Sequence, residues 1–453
     1  MPIAQSNRAR TLAGTPQIPG DKSISHRAII LGALANGETH VSGLLEGEDV
    51  LSTCAAMRGL GAKVEKVDGQ PGEWLVQGGG VQALSGPSKP LDMGNSGTAV
   101  RLLMGFTAAL PFSCTFAGDA SLSKRPMQRV ITPLEQCGAT FSATEGGRLP
   151  LTVTGMSPAH SIQYELPVAS AQVKSAILLA GLNAVGETHV IEPRATRDHT
   201  ELMLKHFGVN IFVEFMPGGG RSIKLAGGQP LKAKDVIVPS DISSAAFPLV
   251  AALLTEGSDI TLPNIGVNPL RTGLLDALAL MGANVQRENE RIEAGEPVCD
   301  LRVRASRLKG AEIPASLAPA MIDEYPILAA AASCADGLTT MPGLSELRVK
   351  ESDRLSAIAG GLELCGVKVE EDEDSLIVYG TGKPPRGTGI IAEKVKTHFD
   401  HRIAMAFLVL GMVTDEPVCI DDTTAIETSF PGFISLINGL GADIVIESKD
   451  GKV

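Results

Sequence analysis

Apolar and polar positions along this chain follow one recurring order: an apolar helix, a short turn, a strand, a second helix, and a glycine. The first instance has an apolar helix over 28–35, the turn Asn36-Gly37-Glu38-Thr39, a strand, and a second helix ending at Leu60-Gly61-Ala62 before Val64. The order restarts at Ala99, Ala176, Ala246, Pro326 and Ala404. Its second helices end at Cys137-Gly138-Ala139, Phe207-Gly208-Val209, Met281-Gly282-Ala283, Cys365-Gly366-Val367 and Leu440-Gly441-Ala442. The turn returns as Val185-Gly186-Glu187-Thr188 and Thr255-Glu256-Gly257-Ser258. Glycine just past the last helical residue is a natural stop, because it takes positive φ without a Cβ clash. A period of about 70 to 80 residues exceeds that of solenoid repeats, so each of the six units is large enough to be a small α/β unit. The apolar runs 245–254, 327–332 and 404–413 are too short to span a bilayer and predict helices buried inside a domain.

A chain of 453 residues is too long for one core, and six units divide naturally into two domains of three. Aromatic residues make up only 4%, which suits closely packed helices rich in alanine, glycine and leucine. The net charge of −12 argues against a general nucleic-acid surface, so any anionic ligand must be met by lysines and arginines gathered locally. Seven cysteines without a Cys-x-x-Cys pair predict reduced cytoplasmic thiols, not a disulfide frame or a zinc site. Residues 1–14 carry Arg8 and Arg10 but no apolar core of a signal peptide. Neither a membrane nor a nucleic acid is expected as a partner.

Candidate chemistry gathers at the helix starts. Pro19-Gly20-Asp21-Lys22-Ser23-Ile24-Ser25-His26-Arg27 opens the first apolar helix, with Ser23 and Arg27 four apart on one face. A helix N-terminus with two cations and a hydroxyl suits a phosphate or carboxylate, although a capped start with solvated charges would look the same. Asn95-Ser96-Gly97-Thr98 reads as a second such cradle or as an ordinary cap. Lys124 and Arg125 precede another helix, Ser170 and Gln172 open the third apolar one, and Arg197 stands beside a possible cap at Asp198. Ser240-Asp241-Ile242-Ser243 repeats the opening without its cations and is expected to be a structural cap. The C-terminal half supplies acids: Asp323 and Glu324 before a buried helix, then Lys350, Glu351, Asp353 and Arg354, with Lys350 and Arg354 expected on one helical face. His398, Asp400 and His401 before Arg402 admit a metal, yet no second clustered ligand set accompanies them, and no metal is expected. Cationic helix starts from both halves, together with Asp323 and Glu351, predict a cleft between two domains that binds doubly anionic substrates and moves protons.

The strings PGDKSISHR, GNSGTAVR, SKRPM, SAQVKS, RDHT, IDEYP, RVKESDR and DHRIAMAF together closely resemble the 5-enolpyruvylshikimate-3-phosphate synthase family, from Pro19 to about Pro431. SAQVKS, RVKESDR and TSFP look like its class II bacterial branch. The resemblance implies an α/β fold of two similar domains, each of three βαβαββ repeats with buried helices. It places one domain over 1–20 and 240–453 and the other over 21–239, with the active site in the cleft between them. It also implies transfer of the enolpyruvyl group of phosphoenolpyruvate to the 5-hydroxyl of shikimate 3-phosphate, by addition and elimination through a tetrahedral intermediate, with phosphate released. By motif, Lys22, Ser23, Arg27, Ser170, Gln172, Arg197 and Lys350 would hold shikimate 3-phosphate. Lys22, Gly97, Arg125, Gln172, Arg354 and Arg402 would hold phosphoenolpyruvate, with Asn95 in the same cradle. Asp323 would be the base and Glu351 the proton donor, with Lys22 beside the reacting groups. No cofactor is implied, a monomer is, and glyphosate would be an inhibitor. One departure is Thr428, where many members carry a lysine before the final Phe430-Pro431. The related transferase acting on a UDP-amino sugar has a cysteine where this chain has Ala120. A non-catalytic scaffold would not need both Asp323 and Glu351.

Overall fold

A computed structural model describes residues 2–389 and 393–447. The chain divides into two compact units, one formed by Gly20–Pro239 with Ile292–Glu296, the other by the described residues up to Pro19, Ser240–Arg291 and those from Pro297 onward.

In the Gly20–Pro239 unit, three helices lie inside: α1 (Lys22–Leu34), α3 (Gly97–Thr107) and α5 (Ala171–Gly181). Each is followed by a strand and an outer helix: α2 (Glu48–Gly59), α4 (Gln128–Gln136) and α6 (His199–His206). Three four-stranded sheets share one plan, an edge strand parallel to its neighbour and then two antiparallel pairings. They run Leu91–Asp92, Ser113–Ala117, Arg148–Thr154, Thr140–Thr144 in one, and Gln163–Glu165, Glu187–Glu192, Arg221–Ala226, Ile211–Phe215 in another. In the remaining sheet the parallel edge comes from far along the chain, Val236–Ile237 against Asn36–Ser42, which pairs in turn with Trp74–Gly79 and then Lys63–Lys66. Strands such as Glu187–Glu192 alternate buried and accessible residues, so each sheet turns one face to a single continuous core. The alanine and glycine content explains how the inner helices fit: a Cβ at Gly105 of α3 would collide with the main chain of Ala176 in α5.

The discontinuous unit repeats the plan with inner helices α7 (Ile242–Leu254), α9 (Tyr325–Cys334) and α11 (His401–Gly411), and outer helices α8 (Gly273–Leu280), α10 (Arg354–Leu364) and α12 (Phe433–Gly439). Its last sheet takes its central strand, Ile3–Asn7, from the start of the chain, antiparallel to both Val418–Ile420 and Asp443–Glu447. The family-implied α/β fold of βαβαββ repeats with buried helices is the one observed. All six stop glycines hold positive φ: Gly61 95°, Gly138 98°, Gly208 86°, Gly282 83°, Gly366 82° and Gly441 118°. Among the described residues no helix is long and apolar enough to cross a membrane.

Three local expectations change. The first helix begins at Lys22, not at residue 28, because the Asp21 side chain accepts from Ile24 N at 2.8 Å and caps a polar first turn. Gly20 groups with the Gly20–Pro239 unit, where Asp21 N donates to Pro239 O at 2.7 Å. The turn Ile292–Glu296, expected with the discontinuous unit, groups with the other one, where Glu296 Oε1 lies 2.7 Å from His199 Nδ1.

Candidate active site

In the Gly20–Pro239 unit, the candidate residues sit at the N-termini of the three inner helices. Asp21, Ser96 and Ser170 cap α1, α3 and α5 by accepting from Ile24 N, Ala99 N and Val173 N, so the positive dipole ends of three helices stand at the candidate residues. Lys22 pairs with Asp49, a carboxylate that the motifs did not single out. Arg27 is buried: its Nε donates to Thr200 Oγ1 at 2.8 Å, Nη1 to Ser23 O at 2.9 Å and Nη2 to Ser175 Oγ at 2.9 Å. Burial pulls its pKa down to about 10 against the raising effect of Glu201, Asp21 and Glu296. Beneath this layer Lys174 is wholly buried, 3.0 Å from Glu192 and 2.7 Å from Glu201, and donates to Thr196 O at 3.3 Å. The apolar periodicity around Lys174 concealed this cluster. Arg197 is half-buried, and it is one of the cations whose charge acts on Arg27. Asp198 stands at the start of α6 but makes no capping bond. It accepts from Arg221 Nη1 at 2.6 Å instead.

The second cradle is tightly knit. Asn95 Oδ1 accepts from Arg125 Nη2 at 2.7 Å, and Asn95 Nδ2 donates to Asp119 Oδ2 at 2.7 Å. Gln172 Nε2 donates to Thr98 Oγ1 at 3.0 Å, while Gln172 Oε1 accepts from Arg101 Nη1 at 2.7 Å. Gly97, Arg125 and Gln172 thus lie around one helix start. Arg101, the last letter of GNSGTAVR, joins them one helical turn from Gly97.

In the discontinuous unit Arg354 is the hub. Its Nη1 donates to Asp323 Oδ1 at 3.1 Å, Nη2 to Glu351 Oε2 at 2.5 Å and Nε to Asp400 Oδ2 at 2.7 Å, with the side chain 1% exposed. Burial alone would lower its pKa, but Glu351, Asp400 and Asp323 outweigh that and raise it. Asp400 resists its own burial through Arg354 and His401, and its pKa falls. His401 is pushed down to about 3 by burial, then by Arg402, and stays neutral. Lys350 does not share a helical face with Arg354, because α10 starts only at Arg354, capped by Asp353. The two cations meet all the same at Asp323, with Lys350 Nζ 3.5 Å away. Arg402 Nη1 donates to Asp323 O at 3.0 Å and to Glu324 Oε1 at 3.4 Å. The expected structural cap at Asp241 forms, accepting from Ser243 N at 2.8 Å, and its carboxylate also meets Arg271 at 3.3 Å. His398 and Phe399 both hold positive φ, 52° and 58°, a strained pair directly before Asp400. Thr428 turns its hydroxyl to Ala425 O at 2.8 Å and brings no charge. Among the described residues no group of three or more His, Cys, Asp or Glu could hold a metal ion.

The family model described as EPSP synthase (3-phosphoshikimate 1-carboxyvinyltransferase) matches residues 7–437. The chain belongs to the EPSP synthase family. Among curated relatives, it is 61% identical to the 3-phosphoshikimate 1-carboxyvinyltransferase of Paramagnetospirillum magneticum, over 97% of each chain. It is 59% identical to that of Granulibacter bethesdensis, over 94% of this chain and 93% of the relative. A solved EPSP synthase from Acinetobacter baumannii superposes with a TM-score of 0.89 at 45% identity, over 99% of this chain and 100% of that one. The enolpyruvyl transferase NikO from Streptomyces tendae, at 18% identity and a TM-score of 0.76, shares the fold over 98% of this chain and 99% of that one.

Proposed function

We infer that this EPSP synthase family member transfers the enolpyruvyl group of phosphoenolpyruvate to the 5-hydroxyl of shikimate 3-phosphate and releases phosphate. The observation carrying the chemistry is the pairing of Asp323 and Glu351 on the single buried guanidinium of Arg354. Two acids held by one fixed cation are oriented for proton transfer yet remain within reach of ligand, since Asp323 is half-buried and Glu351 exposed. In the addition step the substrate hydroxyl oxygen bonds to C2 of phosphoenolpyruvate. Asp323 takes the hydroxyl proton and Glu351 gives a proton to the methylene carbon, which becomes a methyl. In the elimination step the acid pair takes a methyl proton back, the double bond re-forms, and the C–O bond to phosphate breaks.

Each substrate brings a phosphate and a carboxylate, and cations meet these charges. Lys22, Gly97, Arg125, Gln172, Arg354 and Arg402 serve phosphoenolpyruvate, with Asn95 aiming Arg125. Lys22, Ser23, Arg27, Ser170, Gln172, Arg197 and Lys350 serve shikimate 3-phosphate. Arg27 Nη1 and Nη2 each keep a second N–H for a ligand beyond the bonds they already make. Every group named in this reading comes from one chain, so the reading takes the enzyme as a monomer that uses no cofactor. Seven free cysteines suit the reducing cytoplasm.

A phosphate-release assay tests this. Release should require both substrates together and should not occur when a UDP-amino sugar replaces shikimate 3-phosphate. Turnover with the UDP-sugar would move the protein to the related transferase, and no turnover with either acceptor would refute the enzymatic assignment.

A further inference from the structure

Arg101 is a charged side chain in the second cradle to which the motifs gave no role. It is 6% exposed. Its Nη1 bonds the Gly97 carbonyl at 3.2 Å and Gln172 Oε1 at 2.7 Å, and its Nε is buried without a hydrogen-bond partner. Among the described residues no carboxylate pairs with it. Its charged neighbours are cations: burial first, then Arg129 and Arg125, pull its pKa down to about 9. Burying an unpaired charge is costly unless something compensates it. Here the charged neighbours repel it instead, which favours an anion at this place.

The position of Gly97 gives the direction. A Cβ built on Gly97 would lie 3.0 Å from Arg101 Nη1 and 3.1 Å from Arg125 Nη1, so two guanidinium groups converge on one α-carbon at the N-terminus of α3. Arg101 also takes up Gln172 Oε1, while Gln172 Nε2 bonds Thr98. That fixes the rotation of the Gln172 amide.

We propose that Arg101 is a positioning residue for phosphoenolpyruvate: it orients the Gln172 amide and adds an uncompensated buried charge to the anion cradle at Gly97 and Arg125. The inference rests on the transferase assignment above. Its test compares wild type, Arg101→Met and Arg101→Lys in the full chain, using the two Michaelis constants and thermal unfolding with and without inorganic phosphate as probe. In R101M the KM for phosphoenolpyruvate should rise by about tenfold or more while that for shikimate 3-phosphate, which shares only Gln172 with this cradle, rises by a clearly smaller factor, with R101K between. Without an anion R101M should melt no lower than wild type, because a buried unpaired charge has been removed, and phosphate should stabilise wild type more than the variant. An unchanged phosphoenolpyruvate KM, an equal rise in both KM values, or equal stabilisation by phosphate would overturn the proposal. Should R101M not fold, R101K decides: a raised phosphoenolpyruvate KM at an unchanged melting temperature supports the proposal, and a normal KM refutes it. Absence of turnover in wild type would instead refute the assignment on which the proposal rests.

Discussion

At the scale of single residues, Arg354 divides three carboxylates among its nitrogens, and the consequences differ for each acid. Asp400 is buried and accepts from the backbone N of Arg402 at 2.9 Å, so it anchors the hub. Asp323 and Glu351 keep accessible surface and are the pair proposed to move protons. Asp323→Asn and Glu351→Gln should each lower kcat by about 10²–10⁴-fold while calorimetry still detects shikimate 3-phosphate binding, since shape is kept and proton transfer is lost. A kcat near wild type in either variant would refute that residue's role. Gly97→Ala would press a methyl against Arg101 and Arg125, whose tips can yield by a few tenths of an ångström. Glyphosate, longer than phosphoenolpyruvate, should lose more affinity, so the ratio of its inhibition constant to the phosphoenolpyruvate KM should rise. A constant ratio would show that Gly97 does not make room for the inhibitor. His26 is buried, and its pKa is held well below 6.5 by burial, then by Lys22 and Arg27, with Asp21 opposing. Below about pH 6.5 the unfolded chain therefore binds a proton that the folded one refuses, and stability falls as pH drops. Melting temperature should decline from pH 7 to pH 5, and less steeply in His26→Asn; equal slopes would remove His26 from the account. These residues were legible because each sits in a motif at a helix start. Asp49 lies outside the motifs, and Lys174 and Arg101 stand inside SAQVKS and GNSGTAVR without a legible role, because a buried ion pair or an unpaired buried cation leaves no periodic mark in one sequence.

At the scale of elements, the helix stops were far more legible than the starts. Six glycines after six outer helices hold positive φ, as their place in the pattern required. The first turn of α1 was missed because Asp21 capping, not apolar periodicity, holds Lys22, Ser23 and Arg27 in helix. The i,i+4 spacing of Lys350 and Arg354 suggests one helical face, whereas Ser345–Val349 forms only a 3₁₀ turn that ends before Lys350 and the next helix starts at Arg354. Edge strands such as Val236–Ile237 and the central strand Ile3–Asn7 could not be paired from sequence, since their partners lie far along the chain. The close approach of α3 to α5 sets a packing prediction. Gly105→Ala should destabilise by about 1–3 kcal/mol through overpacking, read as a lower urea midpoint at an unchanged slope. An unaltered midpoint would mean that the two inner helices are not held at that spacing.

At the scale of the whole molecule, a chain of net charge −12 handles anionic substrates through cations concentrated in two sets, one on each unit. The N-terminal set offers three helix dipoles and most of the side chains proposed to meet phosphate. The C-terminal set offers the acids and the arginine that holds them. The Gly97 cradle belongs to the first set, and Asp323 and Glu351 belong to the second. The most direct test of that reaction is to run wild type with both substrates in deuterium oxide and examine the product by NMR or mass spectrometry. Addition converts the methylene of phosphoenolpyruvate into a methyl bearing one solvent-derived hydrogen, and elimination then removes one hydrogen from that methyl. The account predicts deuterium in the enolpyruvyl methylene of the product, appearing more slowly in Glu351→Gln in step with its loss of turnover. A product formed at the normal rate with no deuterium at that carbon would contradict protonation there, and with it the roles given to Glu351 and Asp323.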